Sequence, residues 1–360
     1  MSWSRRRFTG FLASSGLLLG AASLRAEAAA GSFYYQGPPS DHFDGQRFFN
    51  PGSTADPRGL GDVLRWRLTE EAEPWPEHYP SPFGEAQPRP ASPADLRVTL
   101  VGHATFLIQI GGLAILTDPV WSERASPFAF VGPRRHNPPG IRFDDLPRID
   151  AVLISHNHYD HLDLPTLERL WRRDRPRIVA PLGNDTIIRT THPEIAVTAV
   201  DWGDAVTLPA GRGPGIVVTA EPVHHWSARA VSDRNHALWA AYVLDGGRRR
   251  VLFAGDTGFD EGRPFRRIAA RHPRMDVALL PIGAYEPRWF MRAQHMDPDD
   301  AVQALGILQA RQALGYHWGT FRLTNEGAER PARDLAAALA ARSVAPRRFL
   351  AMQPGQVWTA

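Results

Sequence analysis

Seven consecutive residues, Ser155-His156-Asn157-His158-Tyr159-Asp160-His161, place the tightest constraint on this chain. They put three histidines and one aspartate within six positions, at the end of a strand-like apolar run over residues 149–155. Imidazole and carboxylate are donors that zinc and other first-row divalent ions accept. In an extended segment positions 156 and 158 point the same way. A turn after Tyr159 then aims Asp160 and His161 at a second point nearby, so one strand end can feed two metal ions. A metal-free surface loop, or a core of satisfied histidines, is the weaker reading. Crowded imidazoles repel when charged, and coordination removes that repulsion.

Composition narrows the chemistry further. There is no cysteine, which removes disulfides, thiolate nucleophiles and sulfur-ligated metals. All 41 basic residues are arginines, which removes a P-loop lysine and Schiff-base chemistry. Apolar residues make up 43% and charged residues 22%, the proportions of a globular protein with a sizeable core. The formal charge of +3 sits at the front: residues 1–30 carry Arg5, Arg6, Arg7 and Arg25 against Glu27, a surplus equal to the whole. The remainder is neutral, which argues against a nucleic-acid partner.

Residues 31–95 are rich in proline, glycine and aromatics. They read as a lead-in packed on the main domain through Phe43, Phe48, Phe49, Trp66 and Trp75, with one helix over 61–69. In residues 96–360 strand and helix signals alternate. Residues 97–110 read as one strand, turned at Gly111-Gly112 into 113–117. Further strands are expected at 149–155, 177–180, 197–200, 215–220, 276–282, 312–317 and 349–352. A hairpin through Asp245-Gly246-Gly247 joins 238–244 to 249–254. Helices are expected at 165–173, at 298–309 behind Asp297 as N-cap, and at 331–342. This alternation predicts an α/β (α+β) chain whose two sheets carry helices on their outer faces.

His156-x-His158-x-Asp160-His161 is the signature of the metallo-β-lactamase fold. Within that superfamily the chain resembles the N-acylphosphatidylethanolamine-hydrolysing phospholipase D family. The resemblance runs through Val101-Gly102-His103-Ala104-Thr105, Thr117-Asp118-Pro119, residues 156–163 and His225-Trp226. It continues through Gly255-Asp256-Thr257-Gly258, residues 285–291, His295-Met296-Asp297-Pro298 and His317-Trp318-Gly319-Thr320-Phe321. It implies a four-layer αβ/βα sandwich with a dinuclear metal site at one edge of the two sheets, holding two Zn2+. Manganese and iron accept the same donors.

Carried over, the resemblance implies that His156, His158 and His225 bind one ion, that Asp160, His161 and His317 bind the other, and that Asp256 bridges them. Taken alone, each downstream residue has a plainer reading. His224 competes with His225, Asp256 suits a turn, and His317 suits a core. His295 is expected at the site entrance, touching phosphate or relaying a proton, or else as a helix contact. His103 and Asp118 are expected to support the ligands.

Two adjacent cations make hydroxide available near neutral pH and neutralise charge on a phosphoryl group. Asp160 would position that hydroxide and accept its proton. The resemblance implies cleavage of N-acyl phosphatidylethanolamine to phosphatidic acid and N-acylethanolamine. Tyr159, Arg288, Trp289 and Phe290 are candidate substrate contacts, with transient contact at a membrane surface. The apolar run 289–291 serves equally as core or as a homodimer interface. The alternatives are a lactonase or phosphodiesterase acting on a soluble substrate, and a non-catalytic envelope protein that binds metal or lipid.

Residues 1–30 have the order of an export signal: Arg5-Arg6-Arg7-Phe8, a mildly apolar stretch over 11–24, then Ala26-Glu27-Ala28 and Ala28-Ala29-Ala30. The arginine pair before Phe8 fits the twin-arginine route, which carries folded proteins, and predicts a periplasmic location. Replacing Arg5 and Arg6 together should abolish export, followed by cell fractionation; unchanged export would sink this expectation.

Overall fold

The computed structural model describes residues 32–53, 58–86, 96–211 and 215–360. The expected export signal lies outside the described residues. In chain order the strands are β1 (Leu96–Gly102), β2 (Thr105–Ile110), β3 (Leu113–Thr117), β4 (Ala151–Leu153), β5 (Arg177–Pro181), β6 (Val197–Val200), β7 (Ala205–Leu208), β8 (Ile216–Glu221), β9 (Ala241–Asp245), β10 (Arg250–Phe253), β11 (Val277–Pro281), β12 (Gln312–Tyr316), β13 (Phe349–Ala351) and β14 (Val357–Thr359). The helices are α1 (Leu60–Thr69), α2 (Leu164–Asp174), α3 (Asn184–Thr191), α4 (Arg263–Arg271), α5 (Arg288–Met291), α6 (Pro298–Leu308) and α7 (Arg330–Ala341).

The strands form two mixed sheets of seven, ordered β14-β1-β2-β3-β4-β5-β6 and β13-β12-β11-β10-β9-β8-β7. Parallel pairing carries the strands nearest the site, with Leu116 opposite Val152 and Leu279 opposite Leu314. Both faces of the central strands are covered, so β2, β3 and β11 are buried along their whole length.

Three apolar cores account for the layering. One fills the space between the sheets, with Leu100, Phe106, Leu153, Tyr242, Phe253 and Leu314 interdigitating. A second packs α2 and α3 on the outside of the first sheet through Leu167, Leu170, Ile187 and Ile188. The third packs α4, α6 and α7 on the second sheet through Phe265, Leu305 and Leu339. The result is the helix–sheet–sheet–helix sandwich that the alternating pattern predicts.

The expected single strand over 97–110 is instead two antiparallel strands, β1 and β2, with Val98 opposite Ile108. The chain reverses at Gly102-His103-Ala104, where His103 takes a φ of 55°. That left-handed residue is held by Thr320, whose Oγ1 accepts from His103 N at 3.2 Å. Because both strands are buried on both faces, their apolar pattern runs unbroken across the turn. Helices α3 and α4 and strands β7 and β14 also go beyond the sequence expectation. They are short, and α4 (RPFRRIAAR) buries a narrow face through Phe265 and Ile268.

Phe43 and Phe48 join the core beneath α4 and α6. Trp66 packs with Phe290 and Met291, and Trp75 donates to the carbonyl of Glu326 at 2.8 Å. Phe49 stays exposed.

Candidate metal centre

The parallel pairing brings the carboxyl ends of several strands to one edge of the sandwich, where open α/β sheets collect their ligands. Residues 156–161 follow β4, His225 follows β8, Asp256 follows β10 and His317 follows β12. The first sheet therefore supplies one half of the site and the second sheet the other.

The side chains converge on two neighbouring points. His156, His158 and His225 offer nitrogens that lie within 4.8 Å of one another. Asp160, His161 and His317 make a second group under the same limit, and His103 belongs to it. Asp256 faces both. Its Oδ2 lies 3.2 Å from His161 Nε2, 3.0 Å from His317 Nε2 and 3.9 Å from His225 Nε2. His103 meets that group at Asp160, with its Nε2 at 2.8 Å from Asp160 Oδ2. Between the two candidates at 224 and 225, His225 turns inward, while His224 faces Asp260 at 3.5 Å.

The donor set fits divalent cations. His156 Nε2 faces His158 Nδ1 at 2.8 Å, and His161 Nε2 faces His317 Nε2 at 3.2 Å. Opposed imidazole nitrogens need a proton or a cation between them. Asp256 Oδ1 is buried without a hydrogen-bond partner, a cost that coordination relieves.

Partners behind the rings fix which nitrogen faces inward. His161 Nδ1 donates to Asp118 Oδ2 at 2.7 Å. Ser155 Oγ also donates to Asp118, at 2.5 Å, and so accepts from His156 Nδ1 at 2.9 Å. His225 Nδ1 donates to the Gln294 carbonyl at 3.0 Å. In His156 and His225 Nε2 is left with its lone pair toward the site, and His161 turns the same nitrogen inward. Neither Ser155 nor Gln294 was anticipated from sequence. The position of Ser155, directly before the first histidine, was the available signal.

Electrostatics separate the two groups. Burial, reinforced by the neighbouring imidazoles, holds His156 well below the ordinary imidazole value. Burial likewise takes His158 down to about 3 and His225 well below its usual range. These are neutral rings, the form that binds metal. For His317 and His161 burial works against protonation, but Asp256 and Asp160 outweigh it. His317 rises to about 9 and His161 goes well above the ordinary value. Burial also opposes ionisation of Asp160 and Asp256, yet His161 and the other imidazoles hold both carboxyls well below the usual range. Positive charge is thus drawn to where a divalent ion would sit.

The remaining candidates divide. His295 reaches the site, with Nδ1 at 3.9 Å from Asp256 Oδ2 and no hydrogen-bond partner. Tyr159 lies half-buried under the Arg229 guanidinium, 3.9 Å from its ring centroid. Arg288 is occupied elsewhere, pairing with Asp297 at 3.1 Å and Asp300 at 2.7 Å at the start of α6. Phe290 is buried against Trp66, with ring centroids 4.9 Å apart. Trp289 donates to Glu70 and carries Arg65 over its ring at 4.5 Å. The run 288–290 thus ties α1 to α6.

Asp118 makes no contact with solvent and anchors both His161 and Ser155. Asp118→Asn should weaken zinc retention about 10- to 100-fold in chelator competition. Retention equal to that of the unmodified protein would show that this anchor does not tune the centre.

Comparison with known proteins identifies the family. Residues 114–318 match the family model described as a β-lactamase superfamily domain. The chain is 37% identical over 277 residues to N-acyl-phosphatidylethanolamine-hydrolyzing phospholipase D 1 of Caenorhabditis elegans, covering 75% of this chain and 77% of that one. It is also 37% identical over 281 residues to an uncharacterised protein of Mycobacterium tuberculosis, covering 77% and 71%. Among solved structures, the metallo hydrolase Igni18 of Ignicoccus hospitalis superposes with a TM-score of 0.54 at 20% identity, over 74% of this chain and 99% of that one. That likeness shows the shared fold. The chain is a metal-dependent hydrolase of the metallo-β-lactamase fold and belongs, with the phospholipase D of C. elegans, to the β-lactamase superfamily.

Proposed function

We propose that this hydrolase is a phosphodiesterase of the phospholipase D type. Its substrate is N-acyl phosphatidylethanolamine or a related phospholipid, cleaved to phosphatidic acid and N-acylethanolamine. The observation that carries the reading is Asp256, whose Oδ2 faces both donor groups at 3.0–3.9 Å. That is the arrangement a two-ion site needs. The relative in C. elegans, named for this reaction, supplies the substrate class.

His156, His158 and His225 would hold one zinc ion, Asp160, His161 and His317 the other, with Asp256 shared. When bound, the ions supply an acidified water and positive charge for a phosphoryl oxygen. The chain's own groups do the rest. Asp160 is held by His103 at 2.8 Å, which orients its carboxylate to accept a proton from the attacking water. His295, buried at the rim beside His225, is free at Nδ1 to contact the phosphate or hand a proton to the departing oxygen. Tyr159 and Trp226 flank the His158 side, Trp226 with its ring 4.4 Å from that of His158.

The test is to incubate metal-analysed protein with vesicles of N-acyl phosphatidylethanolamine and follow products by mass spectrometry. N-acylethanolamine should be released, and Asp160→Asn should release none. Inactivity of protein carrying about two ions per chain would overturn the substrate and leave a lactone or a soluble phosphodiester in its place. A second measurement concerns His295. His295→Ala should keep its metal but lose about 100-fold in turnover; full turnover would reduce His295 to a helix contact.

A further inference from the structure

The ligand run 158–161 is a turn, with neither strand nor helix to hold it. Its own backbone contributes only the bonds from His161 N and Leu162 N to the His158 carbonyl, at 3.0 and 2.8 Å. The carbonyls that bracket the run, on Asn157 and Leu162, need other donors. Both accept from Arg229 Nη1, each at 2.9 Å. The same guanidinium lies 3.9 Å from the centroid of the Tyr159 ring, in the middle of the run. One planar group thus touches the beginning, middle and end of the segment that carries His158, Asp160 and His161.

Arg229 is itself held from outside. Its backbone N and that of Ala230 donate to the Asp233 carboxylate at 2.8–3.1 Å. Asp233 Oδ2 accepts from the Tyr34 hydroxyl at 2.8 Å. Ser32 Oγ donates to the His236 carbonyl, and Phe33 N to His236 Nδ1. Residues 32–35 therefore strap the loop that carries Arg229.

We propose that Arg229 is a positioning residue for the metal centre. It sets the curvature of the ligand run, and the strap 32–35 sets Arg229 through Asp233. This rests on the ligand reading given above. Arginine suits the task because Nη1 alone donates to both carbonyls while the planar guanidinium face lies on an aromatic ring. A lysine ammonium could donate to the carbonyls but has no planar face to stack.

The full chain would be loaded with zinc for chelator competition, and with cobalt for its visible absorption spectrum. Arg229→Ala should lower zinc retention about 10-fold and alter the cobalt bands. Arg229→Lys should recover part of the retention, and Tyr34→Phe should shift it less in the same direction. Should Arg229→Ala fail to fold, Arg229→Lys and Tyr34→Phe carry the test. Arg173→Ala is the matched control. That arginine also donates to two carbonyls, of Phe143 and Pro147, and lies over an aromatic ring, but at the far end of α2. Variants with unmodified zinc retention and cobalt spectrum would overturn the proposal. So would an equal loss in Arg173→Ala, which would mean a general loss of stability. An unmodified chain that binds neither ion would overturn the ligand reading and the clamp with it.

Discussion

Burying a set of imidazoles and carboxylates that face one another is the constraint around which this protein is built. His156, His161, His225, His317, Asp160 and Asp256 are buried, and His158 is half-buried beside them. Burial of that kind is costly unless the groups bind something. Two opposed pairs of ring nitrogens and an unpartnered Asp256 oxygen fit bound metal cations. Coordination turns a crowded, self-repelling cluster into a cross-link between the two sheets, so metal affinity and folding share free energy. The tyrosines of the inter-sheet core help to hold the two halves in place. The Tyr242 hydroxyl donates to the Ile154 carbonyl at 2.8 Å, and the Tyr316 hydroxyl donates to that of Gly255 at 2.5 Å. Each thus fixes a strand end just ahead of a donor.

The layers outside the donors divide the work. Asp118, Ser155 and the Gln294 carbonyl choose tautomers from behind the rings. Arg229 holds the turn on which three donors ride. The lead-in contributes to the same end from two sides. Residues 32–35 strap the loop behind the histidine run, and α1 packs Trp66 against α5, which leads to His295. Segments that looked like a wrapping in sequence are part of the scaffold that keeps the site in register.

How far the sequence could be read follows from how local each signal is. The run 155–161 announces metal because every donor type it needs lies within seven residues. Periodicity and capping residues are equally local, and they mark α6 with its Asp297 cap closely. The β1–β2 reversal was hidden because burial on both faces erases the alternation that would mark a turn. Arg288 looked like a substrate contact because arginine next to aromatics suits one. Its actual partners, Asp297 and Asp300, lie nine and twelve residues on, and only folding brings their carboxylates onto it.

The sequence by itself determined the donor chemistry, the absence of sulfur ligands, the alternation of strands and helices, and so the sandwich. All of these depend on residue type and short-range spacing. Tertiary structure decided what depends on distance between segments far apart in the chain. It turned His225 inward and His224 toward Asp260, set Asp256 between two donor groups, and drew His103 onto Asp160. It also tied Arg229 to the turn nearly seventy residues before it, at Leu162. Such pairings follow from which strand ends meet at one edge of two packed sheets, and no local pattern encodes that.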